Sequence, residues 1–72
     1  MSTRLSDFQV GVPTLVVAVE LNEKESLRLE SMGLLPGTEI SILAKGVGPL
    51  IVAVGETRVM VEQDVAEKIL VV

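Results

Sequence analysis

The chain has 72 residues, a formal net charge of −4 and neither cysteine nor histidine, and 49% of its residues are hydrophobic. A chain of this length makes one domain, predicted here as residues 1–72, and buries only about 60% of the surface that its unfolded form exposes. The acidic balance disfavours contact with nucleic-acid phosphates, and the missing cysteines exclude the disulfides of small secreted domains.

The N-terminal part predicts a short lead-in followed by a strand. Residues 5–11 are expected to cap one end of the domain, with Leu5 and Phe8 against the core. The valine-rich run over residues 14–21 is typical of a strand, because β-branched residues favour extended backbone. Alternation puts Leu15, Val17 and Val19 on one face and Val16, Ala18 and Glu20 on the other.

A short helix is predicted over residues 23–32. Asn22 can cap its first turn, and Glu25 lies three residues later, as in a capping box. Leu29 and Met32 are three positions apart and form the single apolar stripe. Because so short a helix is marginal in isolation, this stripe must pack against a sheet.

Two glycines mark the exit from this helix. Gly33 follows the last apolar position, where a left-handed backbone ends a helix at no steric cost. Pro36 and Gly37 suit the central positions of a type II turn. The turn leads into a second strand over residues 38–44, predicted with Ile40 and Ile42 pointing inward.

The remainder of the chain alternates short apolar runs with turn residues. The predicted elements are, in order, a loop (45–49), a strand (50–54), a strand (57–61), a helical turn (65–68) and a C-terminal strand (69–72). Gly55 and Glu56 stand in the order expected for a type II′ hairpin. Asp64 is predicted to cap the helical turn.

These elements predict a mainly β fold with one short helix, arranged as a small five-stranded barrel that closes on itself. Closure is expected because an open sheet of this composition would leave hydrophobic strand edges exposed, and the chain is too short to cover them with further helices.

Three runs resemble the ferrous iron transport protein A (FeoA) family: LESMGLLPGTEI at 29–40, GPLIV at 48–52 and AEKILV at 66–71. The resemblance implies an SH3-like barrel. It also implies a cytoplasmic accessory protein of ferrous iron uptake, which binds and modulates the G-protein domain of the membrane transporter FeoB at the inner face of the cell membrane. Direct insertion is not expected, because no apolar run approaches the roughly 20 residues that span a bilayer.

The same resemblance offers an alternative, a transition-metal-binding or metal-sensing domain related to the C-terminal domain of iron-dependent repressors. No helix-turn-helix precedes the matched region, which favours the stand-alone protein. A metal site would depend on carboxylates alone, and these bind hard ions weakly. The candidates are Glu20, Glu23, Glu25 and Glu30, and we interpret them instead as a solvated helix face, so no metal ligand is predicted.

Enzymatic activity is not expected. The chain lacks the histidine and cysteine of the usual nucleophile and base pairs. The loop that contains Gly46 and Gly48 does not continue into the Gly-Lys-Ser/Thr that ends a phosphate-binding loop. No catalytic residue and no cofactor are therefore predicted.

A protein-docking surface is therefore the main functional hypothesis. The peptide groove of SH3 domains is lined by aromatic residues, and this chain has only one. Two surfaces remain, the helix with its exit and an exposed strand edge that accepts an extended segment. The predicted partner contacts are Leu27, Arg28, Leu35 and Pro36, although burial under the helix is the alternative for both leucines. Weak self-association is a further expectation.

Overall fold

Six strands and two α-helices make up residues 2–72, the part that this computed structural model describes, and Met1 of the predicted domain lies outside it. The elements are, in order, β1 (Thr3–Arg4), a 3-10 turn (Leu5–Asp7), β2 (Thr14–Val19), α1 (Glu23–Ser31), β3 (Glu39–Ala44), β4 (Leu50–Val54), β5 (Thr57–Val61), α2 (Gln63–Ala66) and β6 (Ile69–Val71).

The strands form one antiparallel sheet in the order β1-β6-β2-β3-β4-β5. The prediction of a mainly β fold is confirmed, but the prediction of five strands in a closed barrel is wrong. The sixth strand is β1, whose two exposed residues pair with β6 and carry no hydrophobic pattern. The sheet is not closed, because its edge strands β1 and β5 are paired on one side only.

The sheet bends at β2, which is shared between two groups of strands. Thr14 and Leu15 pair with β3, whereas Val16 to Val19 pair with β6. A register shift between Val16 and Ala18 marks a bulge, which adds twist and changes the side that each following residue faces. As a result Val16 is buried and Val19 also packs against the core, although simple alternation puts them on opposite faces.

The C-terminal strand lies inside the sheet. β6 pairs with β1 on one side and with β2 on the other. The hydroxyl of Thr14 donates a hydrogen bond to the carbonyl of Val72, and Val72 N–H donates to the carbonyl of Leu15 at 3.1 Å. The apolar C-terminal run is therefore held on both sides, which removes its exposed edge.

The core is entirely aliphatic. Its buried members are Leu5, Val16, Leu29, Leu34, Ile40, Ile42, Leu50, Val52, Val61, Ala66, Ile69 and Val71. The predicted inward positions in β3 and the burial of Leu5 are confirmed, and Phe8 and Met32 pack against the core from its border.

Side-chain hydrogen bonds help to hold the connection before β2 and the loop between β3 and β4. Lys45 Nζ donates to the carbonyls of Ser6 and Phe8, at 3.2 and 2.7 Å, and so holds the lead-in. Gln63 Nε2 donates to the carbonyls of Gly46 and Gly48, at 3.1 and 2.9 Å, and holds the loop before β4.

Of two local predictions, the hairpin agrees with the structure and the cap of α2 does not. Gly55 has φ +61°, and within residues 2–72 only glycines have positive φ, so Glu56 does not, which agrees with the type II′ hairpin. The predicted cap at Asp64 is wrong: α2 starts at Gln63, with Glu62 at the cap position, and the Asp64 carboxylate accepts from the neighbouring Val65 N–H instead.

Candidate protein-docking site

The helix α1 is held at both ends by local hydrogen bonds. The Asn22 side chain accepts from Glu25 N–H at 2.8 Å, so the predicted N-cap is confirmed. At the other end Gly33 has φ +87°, and its N–H donates to the Glu30 carbonyl at 2.9 Å. Leu34 N–H donates to the Leu29 carbonyl at 2.9 Å, which completes a Schellman motif.

The turn after α1 is equally well defined. Thr38 N–H donates to the Leu35 carbonyl at 3.1 Å, and Gly37, with φ +95°, occupies the third position of the predicted type II turn. Gly37 N–H also donates to the Val16 carbonyl at 2.7 Å, which ties the turn to β2. The backbone that carries Leu35 and Pro36 is therefore rigid.

All four predicted contact residues are exposed. Leu27 is 57% exposed and Leu35 is 38% exposed, so the alternative of burial under the helix is wrong for Leu27 and largely wrong for Leu35. Leu27 is two positions from the buried Leu29, and residues at this spacing do not share a helix face. Arg28 and Pro36 are exposed as well.

The structure does not gather the four residues into one cavity. Arg28 lines a groove of about 220 Å³ between α1 and the segment from Met60 to Val65, and Leu27, Leu35 and Pro36 do not. The docking hypothesis thus divides into two surfaces. We use the name outer α1 surface for Leu27 together with the exit residues Leu35 and Pro36, which are exposed and do not line the groove.

The groove is lined by both apolar and charged residues. Its lining residues are Leu21, Glu25, Arg28, Leu29, Met32, Met60, Val61, Glu62, Asp64 and Val65. Sequence reasoning missed the contribution of Met60, which is 63% exposed. The signal was present, since Met60 stands between Val59 and Val61 in β5 and alternation puts it on the opposite face from both.

Residues 2–72 contain neither a cluster of metal-ligating side chains nor a helix that could span a membrane. Among residues 2–72 no group of three or more histidine, cysteine, aspartate or glutamate side chains is placed to hold a metal ion. None of the described helices is long and apolar enough to cross a membrane. The carboxylates Glu20, Glu23, Glu25 and Glu30 thus do not come together as a ligand set.

The chain is similar to known proteins in both sequence and structure. A family model described as the FeoA domain matches residues 3–72. An iron uptake regulatory protein (FeoA) of known crystal structure is 32% identical in sequence to this chain. The two structures superpose with a TM-score of 0.91, over 99% of this chain and 96% of that chain. No curated protein is significantly similar in sequence.

Two further structures bear on the fold. FeoA of Stenotrophomonas maltophilia, solved with zinc and described as a prokaryotic SH3 domain protein, is 29% identical with a TM-score of 0.79, over 100% of this chain and 89% of that one. A manganese-dependent transcriptional repressor is 23% identical with a TM-score of 0.86, over 99% of this chain and 41% of that one. The SH3-like fold is confirmed, and the likeness to the repressor shows the fold alone.

Proposed function

Because the chain belongs to the FeoA family, which is linked to ferrous iron transport, we propose that it is a small accessory protein that docks on the cytoplasmic G-protein domain of the transporter FeoB. It modulates the transporter by protein contact at the inner face of the membrane and performs no chemistry itself. The observation that carries the docking surface is the 57% exposure of Leu27 on a helix whose two ends are fixed.

Physical reasons favour the outer α1 surface as the contact. An exposed leucine keeps apolar area in water, and its burial against a partner releases about 25 cal/mol for each Å² removed. The rigid turn adds Leu35 and Pro36 next to the C-terminal end of α1 without an ordering cost on binding. Arg28, the fourth predicted contact, lines the groove and is not part of this surface.

The proposal is tested with the double variant Leu27→Asp, Leu35→Asp. Both positions are exposed, so we expect a folded protein. Calorimetry with the purified G-protein domain should then show a dissociation constant at least tenfold larger than that of the parent protein.

A matched control is available elsewhere on the surface. The double variant Leu43→Asp, Val47→Asp adds the same charge at two exposed apolar positions, which are 42% and 107% exposed. It should bind as the parent does. If the Leu27 and Leu35 variant remains folded and also binds as the parent does, the outer α1 surface is not the docking site.

A second titration distinguishes the docking proposal from the alternative of a metal-binding or metal-sensing domain. Residues 2–72 bring no set of three acidic ligands together, and isolated carboxylates hold divalent cations weakly. We therefore expect anaerobic titration with ferrous or manganous ion to show no stoichiometric binding at micromolar concentration. Stoichiometric heat at that concentration would favour the alternative.

A further inference from the structure

The open sheet leaves one long edge available for pairing. Its two edge strands are β1, with two residues, and β5, with five. An edge strand presents unpaired N–H and C=O groups, and an edge of two residues offers few of them. β5 is therefore the edge on which an extended segment could add a further strand.

The hairpin register shows which backbone groups of β5 are free. Val54 and Thr57 flank the two-residue turn and form a hydrogen-bonded pair, and pairs alternate from there along an antiparallel ladder. Arg58 and Met60 fall at the positions that do not bond to β4, so their N–H and C=O groups point away from it. No loop, cap or side-chain hydrogen bond within residues 2–72 uses them.

The groove next to α1 begins where this edge ends. Met60 and Val61 belong to β5 and also line the groove. Its volume of about 220 Å³ lies below the roughly 300–1,000 Å³ of typical small-molecule sites, so it suits one or two side chains of a peptide. Methionines line it at Met32 and Met60, and their flexible side chains adapt to different apolar shapes.

The charged residues of the groove indicate which net charge a bound segment should carry. Glu25, Glu62 and Asp64 line it together with the cation Arg28, and Arg58 adds a second cation on β5, so the acidic groups outnumber the basic ones. The chain carries a net charge of −4, so a second copy meets this groove with repulsion. A segment with lysine or arginine on either side of an apolar residue is complementary to it.

We propose that β5 and the groove together bind an extended basic segment of another protein. The segment pairs with the backbone of Arg58 and Met60 as an added strand, its apolar side chain fills the groove, and its cations lie near Glu62 and Asp64. This surface goes beyond the docking proposed above, because it excludes Leu27, Leu35 and Pro36.

The probe is the capped peptide Lys-Val-Lys-Leu-Lys-Val-Lys, with a control peptide in which glutamate replaces every lysine. Titration into ¹⁵N-labelled protein should shift the amide signals of Arg58, Met60 and Val65. The control peptide should bind at least tenfold more weakly. Shifts confined to residues outside β5 and the groove would overturn the proposal.

Two variants test the edge and the groove separately. Arg58→Pro removes a free N–H that the sheet does not use, and proline is tolerated at such edge positions, so we expect a folded protein with at least tenfold weaker peptide binding. Met60→Lys puts a cation into the groove and should weaken binding similarly, whereas Val47→Lys adds the same charge at a fully exposed loop position and should not.

Three outcomes would refute the inference. One is unchanged peptide affinity in a folded Arg58→Pro protein, and another is equal effects of Met60→Lys and Val47→Lys. The third is concentration-dependent β5 shifts without peptide, together with a dimer in sedimentation, which would assign the edge to a second copy. The Leu27→Asp, Leu35→Asp protein should still bind the peptide, so failure of one proposal leaves the other standing.

Discussion

Replacement of Gly33 by alanine tests the junction between α1 and the turn. Gly33 has φ +87°, and a Cβ atom there would lie 3.1 Å from Val54 Cγ1. The left-handed backbone costs an alanine about 1–2 kcal/mol. The contact with Val54 is shorter than the roughly 3.5–4.0 Å optimum for carbon atoms, and therefore adds repulsion.

The unfolded state offsets part of this loss. Alanine has less backbone freedom than glycine when unfolded, which stabilises the folded protein by about 0.4–1 kcal/mol. With about 0.5–1 kcal/mol of repulsion from Val54 added, we expect the free energy of unfolding to fall by about 1–2 kcal/mol in Gly33→Ala. For a domain of this size each kcal/mol corresponds to about 4–8 °C, so Tm should drop by about 4–16 °C.

Two further glycine variants serve as controls, measured by urea and thermal unfolding followed by circular dichroism. Gly37→Ala meets no neighbour within 4 Å but keeps the strain of φ +95°, and its loss should be smaller than that of Gly33→Ala. Gly46→Ala has neither strain nor neighbour and should change stability by less than about 0.5 kcal/mol. The reasoning fails if Gly33→Ala costs no more than Gly46→Ala.

A double-mutant cycle isolates the contact with Val54. The change Val54→Ala removes the Cγ1 atom that the new alanine Cβ would meet. In that background Gly33→Ala should cost about 0.5–1 kcal/mol less than in the parent protein, because contacting residues are coupled. If the changes in the free energy of unfolding simply add, the cost of Gly33→Ala comes from the backbone conformation alone and not from the contact with Val54.

Two other substitutions follow from the same geometry. Asn22→Ala removes the side chain that accepts from Glu25 N–H and should lower the free energy of unfolding by about 1 kcal/mol, whereas an exposed change such as Lys24→Ala should be nearly neutral in the same urea titration. Leu34→Ala empties a fully buried position and should cost about 2–5 kcal/mol; a loss below about 1 kcal/mol in thermal unfolding would contradict its place in the core.

Local signals accounted for most of the helix and turn geometry. The cap at Asn22, the left-handed glycine at Gly33 and the Pro36-Gly37 turn each depend on residues within a few positions of one another, and the structure confirms all three. The predicted helix ended at residue 32, one residue beyond the last helical position, Ser31. Differences of this size are usual where a helix ends in a cap.

Longer-range features were not predictable in the same way. β1 has no pattern of its own and exists because Thr3 and Arg4 pair with Val71 and Leu70 at the opposite end of the chain. The bulge in β2 likewise arises where the strand changes partner, and it moved Val19 to the core side. The predicted contacts at Leu27, Arg28, Leu35 and Pro36 are exposed, and their role in binding stays a prediction.

The sequence by itself determined the aliphatic core, the succession of elements from β2 to β6 and the ends of α1, because these depend on side-chain chemistry and on bonds between near neighbours. Only the tertiary structure decided that the sheet stays open, that β5 is its long free edge and that the groove with Met60 lies beside α1. Each of these depends on how distant segments pair, and the free energy of that pairing is shared among residues far apart in the chain.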